Sequence, residues 1–354
     1  MWTDPLSSNS ELRIQNSETT RIAAALAIAV IAALSTPAAQ SHDVLALAAQ
    51  VAPIEPGYVV PRTPWGDPDI EGKWPSIDMV RVPVQRQARY GTRLFLTPTE
   101  AAEREAGEKV QIERMAAEGA GGATGAPGHW VEWGLTQRQS SLLIDPPDGR
   151  MPALTEDGKA RLSAAPTGTM GTKPLNGPRD FTMWERCLSR GALGSTLPVL
   201  YNSGIDITQG PGFVGIRYEM VHDQRMIPLD RRTPLAPALQ FYVGDARGRW
   251  EGDTLVVESR NFTDNQVGLG LSGGGVPASG DLRLVERFTR VGPKTIRYVA
   301  TVHDPRTYTR EWTVAFPLTL QPGYGMHEYA CHEGNYGLTN ALSGSRAAER
   351  EGVR

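Results

Sequence analysis

The sequence predicts a mainly β protein, built as an antiparallel lipocalin-like barrel or a sandwich of about eight strands. From residue 205 to residue 318, apolar and polar residues alternate in one segment after another, which is typical of half-buried strands. Short turns join the later segments, so neighbouring strands should pair antiparallel. Eight strands are enough to form a barrel or a sandwich with a ligand-sized interior. The segments are IDITQ (205–209), FVGIRYEM (213–220), QRMIPLD (224–230), GRWEG (248–252), DTLVVESR (253–260), DLRLVERFTR (281–290), KTIRYVATVH (294–303) and TREWTVAFPL (309–318).

The residues that precede the strands predict an irregular, partly helical N-terminal wrap. We divide the chain into a signal peptide and spacer (1–48), a proline-rich arm and wrap (49–200) and the β-barrel domain (201–345). A loop at 262–281 interrupts the strands and is rich in glycine. Loops of this length in compact domains are usually functional or disordered, so we interpret it as a mobile hairpin loop or a lid over the barrel mouth.

Two helices in the wrap have clear start signals. Thr97, Pro98 and Glu100 form a capping box and predict a helix that ends near residue 117. Thr155 begins a shorter helix that ends near residue 164. The segment 177–191 predicts a weaker helix or turn.

The N-terminus predicts export from the cytoplasm. Arg13 and Arg21 precede the apolar run 22–34, which has the length of a signal-peptide core and is too short to span a ~30 Å bilayer. Small residues at 36–38 and 46–48 offer two cleavage sites. We expect a periplasmic or secreted protein with no stable membrane insertion after cleavage. A retained membrane anchor and a misassigned start codon are the alternatives.

Composition narrows the classes of partner. The 354 residues are 40% hydrophobic and 21% charged, an ordinary globular balance. The formal net charge of −3 gives no basic excess, so we expect no nucleic-acid partner. No motif indicates a nucleotide, flavin or haem, and we expect no cofactor. The expected partner is a small-molecule ligand, and the sequence sets no oligomeric state.

The chain has two cysteines, one on each side of the strand block. In an exported protein, Cys187 and Cys331 favour a single disulfide bond that ties the wrap to the C-terminal segment. The alternatives are two buried free thiols, or a metal or nucleophilic pair formed by Cys331 and His332.

Several long motifs resemble a large family of exported bacterial proteins that have no assigned function. The resemblance spans about residues 60–345 and implies no catalytic assignment. The barrel is inferred from the strand pattern alone. The motifs are LIDPPDGRMPALT (143–155), ERCLSRG (185–191), YEMVHDQRMIPLD (218–230), GDARGRWEGDTLVVES (244–259), LRLVERFTRVGPKTIRYVATVHDP (282–305), TREWTVAFPL (309–318) and YACHEGNYGL (329–338).

Glu286 is a candidate acid or base, because strand alternation places it on the apolar face of its segment. A carboxylate in such a row must be paired, hydrogen-bonded or protonated, and desolvation raises the pKa of such a group. The alternatives are an inter-strand ion pair with an arginine such as Arg217 or Arg297, or an orientation toward water.

His222 is a candidate general base at the end of its strand. It shares a strand face with Tyr218 and Met220, while Asp223 lies on the other face. If that face points inward, His222 lies at one end of the cavity, where its pKa suits proton transfer. The alternative is a hydrogen-bonded histidine at a strand end.

His303, followed by Asp304, repeats the His222 arrangement at the end of a later strand. With Glu286 or Glu333, two such histidines could form a metal site, but no His-x-His or His-Glu-x-x-His spacing supports one. We therefore predict no metal.

These residues favour a periplasmic enzyme that performs acid–base chemistry, of the lyase, hydratase or isomerase type, on a small apolar or aromatic molecule. His222, Glu286 and His303 would transfer protons. A lipocalin-type carrier of a hydrophobic ligand and a non-catalytic envelope interaction module are the alternatives. The predicted substrate-binding residues are Tyr218, Trp250, Tyr298 and Trp312.

Overall fold

A computed structural model describes most of the chain after its N-terminal 35 residues. The chain divides into two compact units, residues 1–47 and 48–354, and the features below belong to the second unit unless stated. Within the described part of the chain, no helix is long and apolar enough to cross a membrane. The described residues are 36–119, 130–171, 173–230, 232–264 and 275–352.

Strands dominate the second half of the described chain, and helices flank them. The first helix begins in the first unit and ends in the second. The α-helices are α1 (Thr36–Val51), α2 (Pro98–Gly119), α3 (Glu156–Ala164), α4 (Ala192–Thr196) and α5 (Gly337–Arg350). The strands are β1 (Gly72–Lys73), β2 (Leu143–Asp145), β3 (Ile205–Gly210), β4 (Phe213–Tyr218), β5 (Gln224–Pro228), β6 (Asp245–Glu251), β7 (Thr254–Arg260), β8 (Arg283–Gly292), β9 (Thr295–His303) and β10 (Trp312–Thr319).

The strands form two antiparallel sheets. One sheet has the order β1-β3-β4-β5, and the other has the order β2-β10-β9-β8-β7-β6. The mainly β, antiparallel prediction is therefore confirmed, and all eight predicted segments contain a strand. No closed barrel is found among the described strands, because no ladder joins the two sheets.

The period-2 pattern explains which faces are buried. Along β8 and β9 buried and partly exposed residues alternate, and the buried faces of both sheets contribute to one hydrophobic core. The wrap adds Trp74 to this core, where its indole N–H donates to the Ile70 carbonyl at 2.9 Å. The two sheets thus share an interior that is filled by side chains.

The two helix-start signals predicted in the wrap are present in the structure. The Thr97 hydroxyl accepts a hydrogen bond from the Glu100 amide (3.3 Å), and the Glu100 carboxylate accepts one from the Thr97 amide (2.8 Å), so the predicted capping box begins α2. Thr155 likewise caps α3. The weaker helix at 177–191 is a short 3-10 turn, Pro178–Asp180.

Five of these elements were not predicted from the sequence, including helices α1 and α4. Strands β1 and β2 are only two and three residues long, too short for a period-2 pattern. Helix α5 lies beyond the predicted barrel domain. The signal-peptide core at 22–34 and residues 265–274 of the predicted lid loop lie outside the described residues.

Candidate functional site

Glu286 lies on β8 in the interior that the two sheets share, and it is fully buried. Its carboxylate accepts hydrogen bonds from both terminal nitrogens of Arg225 on β5, at 3.0 and 2.5 Å. The ion pair therefore joins the four-stranded sheet to the six-stranded sheet. The sequence interpretation of Glu286 as a buried carboxylate is right, and its partner is Arg225 rather than Arg217 or Arg297.

Two of the predicted substrate-binding tyrosines belong to the same buried network. The Tyr298 hydroxyl donates to Glu286 at 2.9 Å, and Arg225 donates to the Tyr218 hydroxyl at 3.2 Å and to Ser259 at 2.9 Å. Burial raises the pKa of both phenols, and the Glu286 charge adds to the rise. The structure thus brings Tyr218, Glu286 and Tyr298 together in the filled interior rather than at an open surface.

The two predicted catalytic histidines lie elsewhere and have different partners. His222 is exposed, and its Nδ1 lies 3.3 Å from the Tyr329 carbonyl oxygen. His303 is 42% exposed and its Nδ1 lies 2.7 Å from a Glu311 carboxylate oxygen. Within the described part of the chain, no hydrogen bond or ion pair joins either histidine to Glu286. The three proposed proton-transfer residues do not form one cluster.

The two predicted substrate-binding tryptophans are parts of the sheets. Trp312 is fully buried and packs edge-on against Tyr308, with ring centroids 5.7 Å apart. Trp250 is partly buried and packs against the hydrophobic core. Neither lines the cavity described next.

That cavity is a pocket of about 700 Å³, which is within the size range of small-molecule sites. It lies outside the sheets, where segments of the wrap meet the C-terminal segment. Five aromatic side chains contribute to its wall. Three carboxylates, one disulfide-bonded cysteine and two asparagine side chains complete it. The aromatic residues are Trp130, Phe181, Trp184, Tyr201 and Tyr329.

The predicted disulfide fixes this wall. Cys187 and Cys331 are bonded, with their Cα atoms 5.7 Å apart and 144 positions separating them in the sequence. Cys331 lines the pocket, so the bond fastens the C-terminal wall to the wrap. The disulfide prediction is confirmed, and its role is to position a pocket.

Backbone strain is concentrated around the same wall. Five described residues other than glycine have a positive φ, and four of them (Cys187, Asn202, Val221 and His222) lie in the wall or contact it. Val221, with φ 62°, is β-branched, and such residues rarely adopt this conformation. Strained residues persist where surrounding contacts hold them, and they are common at functional sites.

Glu132 belongs to the pocket wall and is joined to a second carboxylate through a tyrosine. The Tyr324 hydroxyl lies 2.6 Å from Glu132 Oε1 and 2.8 Å from Glu219 Oε2. A phenol has one hydrogen to donate, so Tyr324 satisfies one of these contacts at a time.

Burial and the two carboxylates raise the pKa of Tyr324, so this phenol keeps its proton at neutral pH. Glu132 also accepts bonds from the Asn202 and Ser203 amides and from the Ser203 hydroxyl. Glu219 is 3% exposed and accepts from the Asn202 side chain at 3.0 Å. The cluster therefore links a buried carboxyl group to a carboxyl group in the pocket wall.

Glu185 is a second pocket carboxylate and is held differently. Burial raises its pKa, but hydrogen bonds from the amides and hydroxyls of Thr169 and Thr182 outweigh burial, and the net pKa is lowered. Each oxygen accepts two hydrogen bonds, so Glu185 is a fixed anion that shapes the wall.

Arg190 lies behind the aromatic wall and is 1% exposed. All three of its guanidinium nitrogens are buried with no hydrogen-bond partner, which holds for no other arginine among the described residues. Its charge acts on the phenols of Tyr201 and Tyr329, opposing the rise in pKa that burial causes there. Burial lowers the pKa of Arg190 to about 10, so it is a cation at neutral pH.

The nearest acid to Arg190 is occupied by other donors. Asp223 accepts from the Ser189 hydroxyl (2.8 Å), the Arg190 amide (3.0 Å) and the Ser195 hydroxyl (3.3 Å). Burial raises the pKa of Asp223, and these hydrogen bonds oppose that rise. Its charge acts on the guanidinium from a distance, without an ion pair.

Comparison with known proteins gives no match to a family model, to a curated protein or to a solved structure.

Sequence reasoning did not find this pocket, although some signals were present. Its wall comes from separate stretches of the wrap and the C-terminal segment, which no short-range pattern connects. The motifs ERCLSRG and YACHEGNYGL contain Arg190, Tyr329 and both cysteines. Their joining by the predicted disulfide was the one indication that these segments form a common site.

Proposed function

We propose that the protein is an exported enzyme that transfers protons on a small aromatic or apolar molecule bound in the pocket lined by Trp130, Trp184 and Tyr329. The reaction is of the lyase, hydratase or isomerase type. One observation carries the proposal. Two carboxyl groups, Glu132 and Glu219, converge on the single hydrogen of the Tyr324 hydroxyl, and one of them lines the pocket.

Such a cluster suits general acid–base catalysis, because it takes up or releases a proton with little rearrangement. Glu132 would exchange the proton with the ligand. Tyr324 would pass it between Glu132 and the buried Glu219. The aromatic wall would bind the apolar part of the ligand and exclude water from it.

His222 is the one residue of the original catalytic set that is close to this wall, through its contact with the Tyr329 carbonyl. Its proposed role is therefore a secondary one, at the pocket wall. Proton transfer by Glu286 would require a site between the sheets, and proton transfer by His303 would require one at the end of β9. The pocket lies at neither place.

The test is proton exchange with solvent. The protein is incubated in D₂O with phenylpyruvate, cinnamate and mandelate, and loss of carbon-bound proton signals is followed by NMR. We expect exchange or conversion with at least one compound. Glu132→Gln should lower the rate by about 10²–10⁴-fold, since that is the usual contribution of a general acid or base.

His303→Asn is the matched control, because His303 is exposed and paired with Glu311 away from the pocket. It should leave the rate within about twofold of wild type if its only partner is that surface carboxylate. A rate unaffected by Glu132→Gln would contradict the proposal. Ligand binding without exchange would favour the alternative, a lipocalin-like carrier.

A further inference from the structure

The buried guanidinium of Arg190 is an energetically costly feature of the folded protein. A buried guanidinium without hydrogen-bond partners is strongly unfavourable, since it has lost its water and gained no bonds. The side chain is 1% exposed and none of its nitrogens has a partner. A group this costly is often retained where a ligand supplies the missing bonds.

The position of Arg190 indicates where such a ligand would bind. Its charge acts on the phenols of Tyr201 and Tyr329, which both line the pocket, so the guanidinium lies near that part of the wall. A ligand in the pocket would reach the guanidinium once these two side chains moved aside. A planar guanidinium binds carboxylate oxygens through two parallel hydrogen bonds.

Two of the three pocket carboxylates, Glu132 and Glu185, already have donors within the protein, while the third, Glu328, is exposed. Glu185 accepts four hydrogen bonds from threonines, and Glu132 accepts four from Tyr324, Asn202 and Ser203. Glu185 is therefore fully hydrogen-bonded, and Glu132 is held by three donors besides the hydroxyl that it shares with Glu219. The three side-chain nitrogens of Arg190, in contrast, have no hydrogen-bond partner among the described residues.

We propose that Arg190 binds the oxyanion of the ligand, which makes small aromatic carboxylates the substrate class of this pocket. This assignment rests on the proposed function in that it names the substrate of the same site. The aromatic ring would pack between Trp184 and Tyr201. The side chains of Tyr201 and Tyr329 are hydrogen-bonded to each other, and the carboxylate would displace this bond to reach Arg190.

The experiment measures affinity by calorimetry with the full chain and three matched pairs of ligands. These are benzoate and benzamide, phenylacetate and phenylacetamide, and cinnamate and cinnamamide; benzylamine is the cationic probe and inorganic phosphate the non-aromatic one. In wild type, at least one carboxylate should bind about tenfold or more tighter than its amide and tighter than phosphate, as expected for charge-assisted hydrogen bonds.

Arg190→Met should abolish this preference, and Arg190→Lys should retain part of it because the charge remains. Circular dichroism shows whether each variant is folded. The proposal is overturned if the amides, benzylamine or phosphate bind as tightly as the carboxylates, if folded Arg190→Met keeps the preference, or if no carboxylate binds.

The outcomes separate this proposal from the proposed enzyme. Carboxylate binding that depends on Arg190, without proton exchange in D₂O, supports the ligand class and contradicts the enzyme. Exchange that depends on Glu132 but shows no preference for carboxylates supports the enzyme and contradicts the role of Arg190.

Discussion

Arg225 and Arg190 are both almost completely buried, yet their surroundings differ in every other respect. Arg225 lies between the two sheets and donates to Glu286, Tyr218 and Ser259. Arg190 lies behind the pocket wall and donates from its side chain to nothing. Arg225 has partners for both terminal nitrogens and lacks one only for Nε, whereas Arg190 has no partner among the described residues for any of its three side-chain nitrogens.

This difference separates a structural role from a functional one. A buried charge with all its partners stabilises one arrangement of the sheets, and removing one partner leaves the other uncompensated. A buried charge without partners lowers stability, and under our proposal Arg190 is kept because it binds the ligand. The sequence can identify a titratable residue in an apolar row. Its role can be assigned only once its hydrogen-bond and ion-pair partners are known.

The largest expected effect is on the Arg225 network. Arg225→Met should lower the free energy of unfolding by about 3–5 kcal/mol, because Glu286 remains buried without its counter-charge. Urea unfolding followed by circular dichroism measures the change. The double variant Arg225→Met/Glu286→Met should recover most of the loss, and a double variant as unstable as the single one would contradict an ion-pair explanation.

The disulfide should contribute nearly as much. Replacing Cys187 and Cys331 with serine should lower the free energy of unfolding by about 2–5 kcal/mol, since the bond closes a long loop. Because the sequence has only these two cysteines, adding a reductant to wild type should reproduce the effect. Equal stability with and without reductant would show that the wall does not depend on this bond.

Tyr324→Phe should have a smaller effect on stability, about 1–3 kcal/mol, since it removes a donor from two buried or half-buried carboxylates. Thermal unfolding measures it. Tyr336→Phe is the control, because Tyr336 is 72% exposed, and it should leave the melting temperature unchanged. An unchanged melting temperature in Tyr324→Phe would mean that the cluster is not formed as described.

The capping box should have a still smaller and local effect. Thr97→Ala should cost about 1 kcal/mol and increase hydrogen exchange in the first turn of α2, because the Glu100 amide loses its acceptor. Thr99→Ala, a change at an exposed position two residues later, is the control. Equal rates of hydrogen exchange in the first turn of α2 in the two variants would exclude a capping role for Thr97.

The sequence predicted the parts of the molecule that depend on local patterns. Alternation along β8 placed Glu286 on a buried face, and the Thr97–Glu100 spacing predicted the start of α2. The two cysteines of a chain that we expect to be exported predicted the disulfide. Each of these follows from neighbours in the chain or from a residue type used in very few places.

The pocket could not be predicted in the same way. Its walls come from residues near 130, 185, 201 and 330, which lie outside the strands and meet only after long-range folding. Whether a buried charge has partners also depends on those contacts. Glu286 and Arg190 occur in equally prominent motifs, and only the fold distinguishes the paired group from the unpaired one.

The most direct test of this distinction is the free energy of unfolding of Arg190→Met, measured by urea unfolding beside Arg225→Met and without any ligand. If Arg190 is kept for a ligand, removing its unpaired charge should leave stability unchanged within about 0.5 kcal/mol or raise it, while Arg225→Met is strongly destabilised. A loss of about 3 kcal/mol or more in Arg190→Met would show that both arginines serve the fold, and would contradict the account.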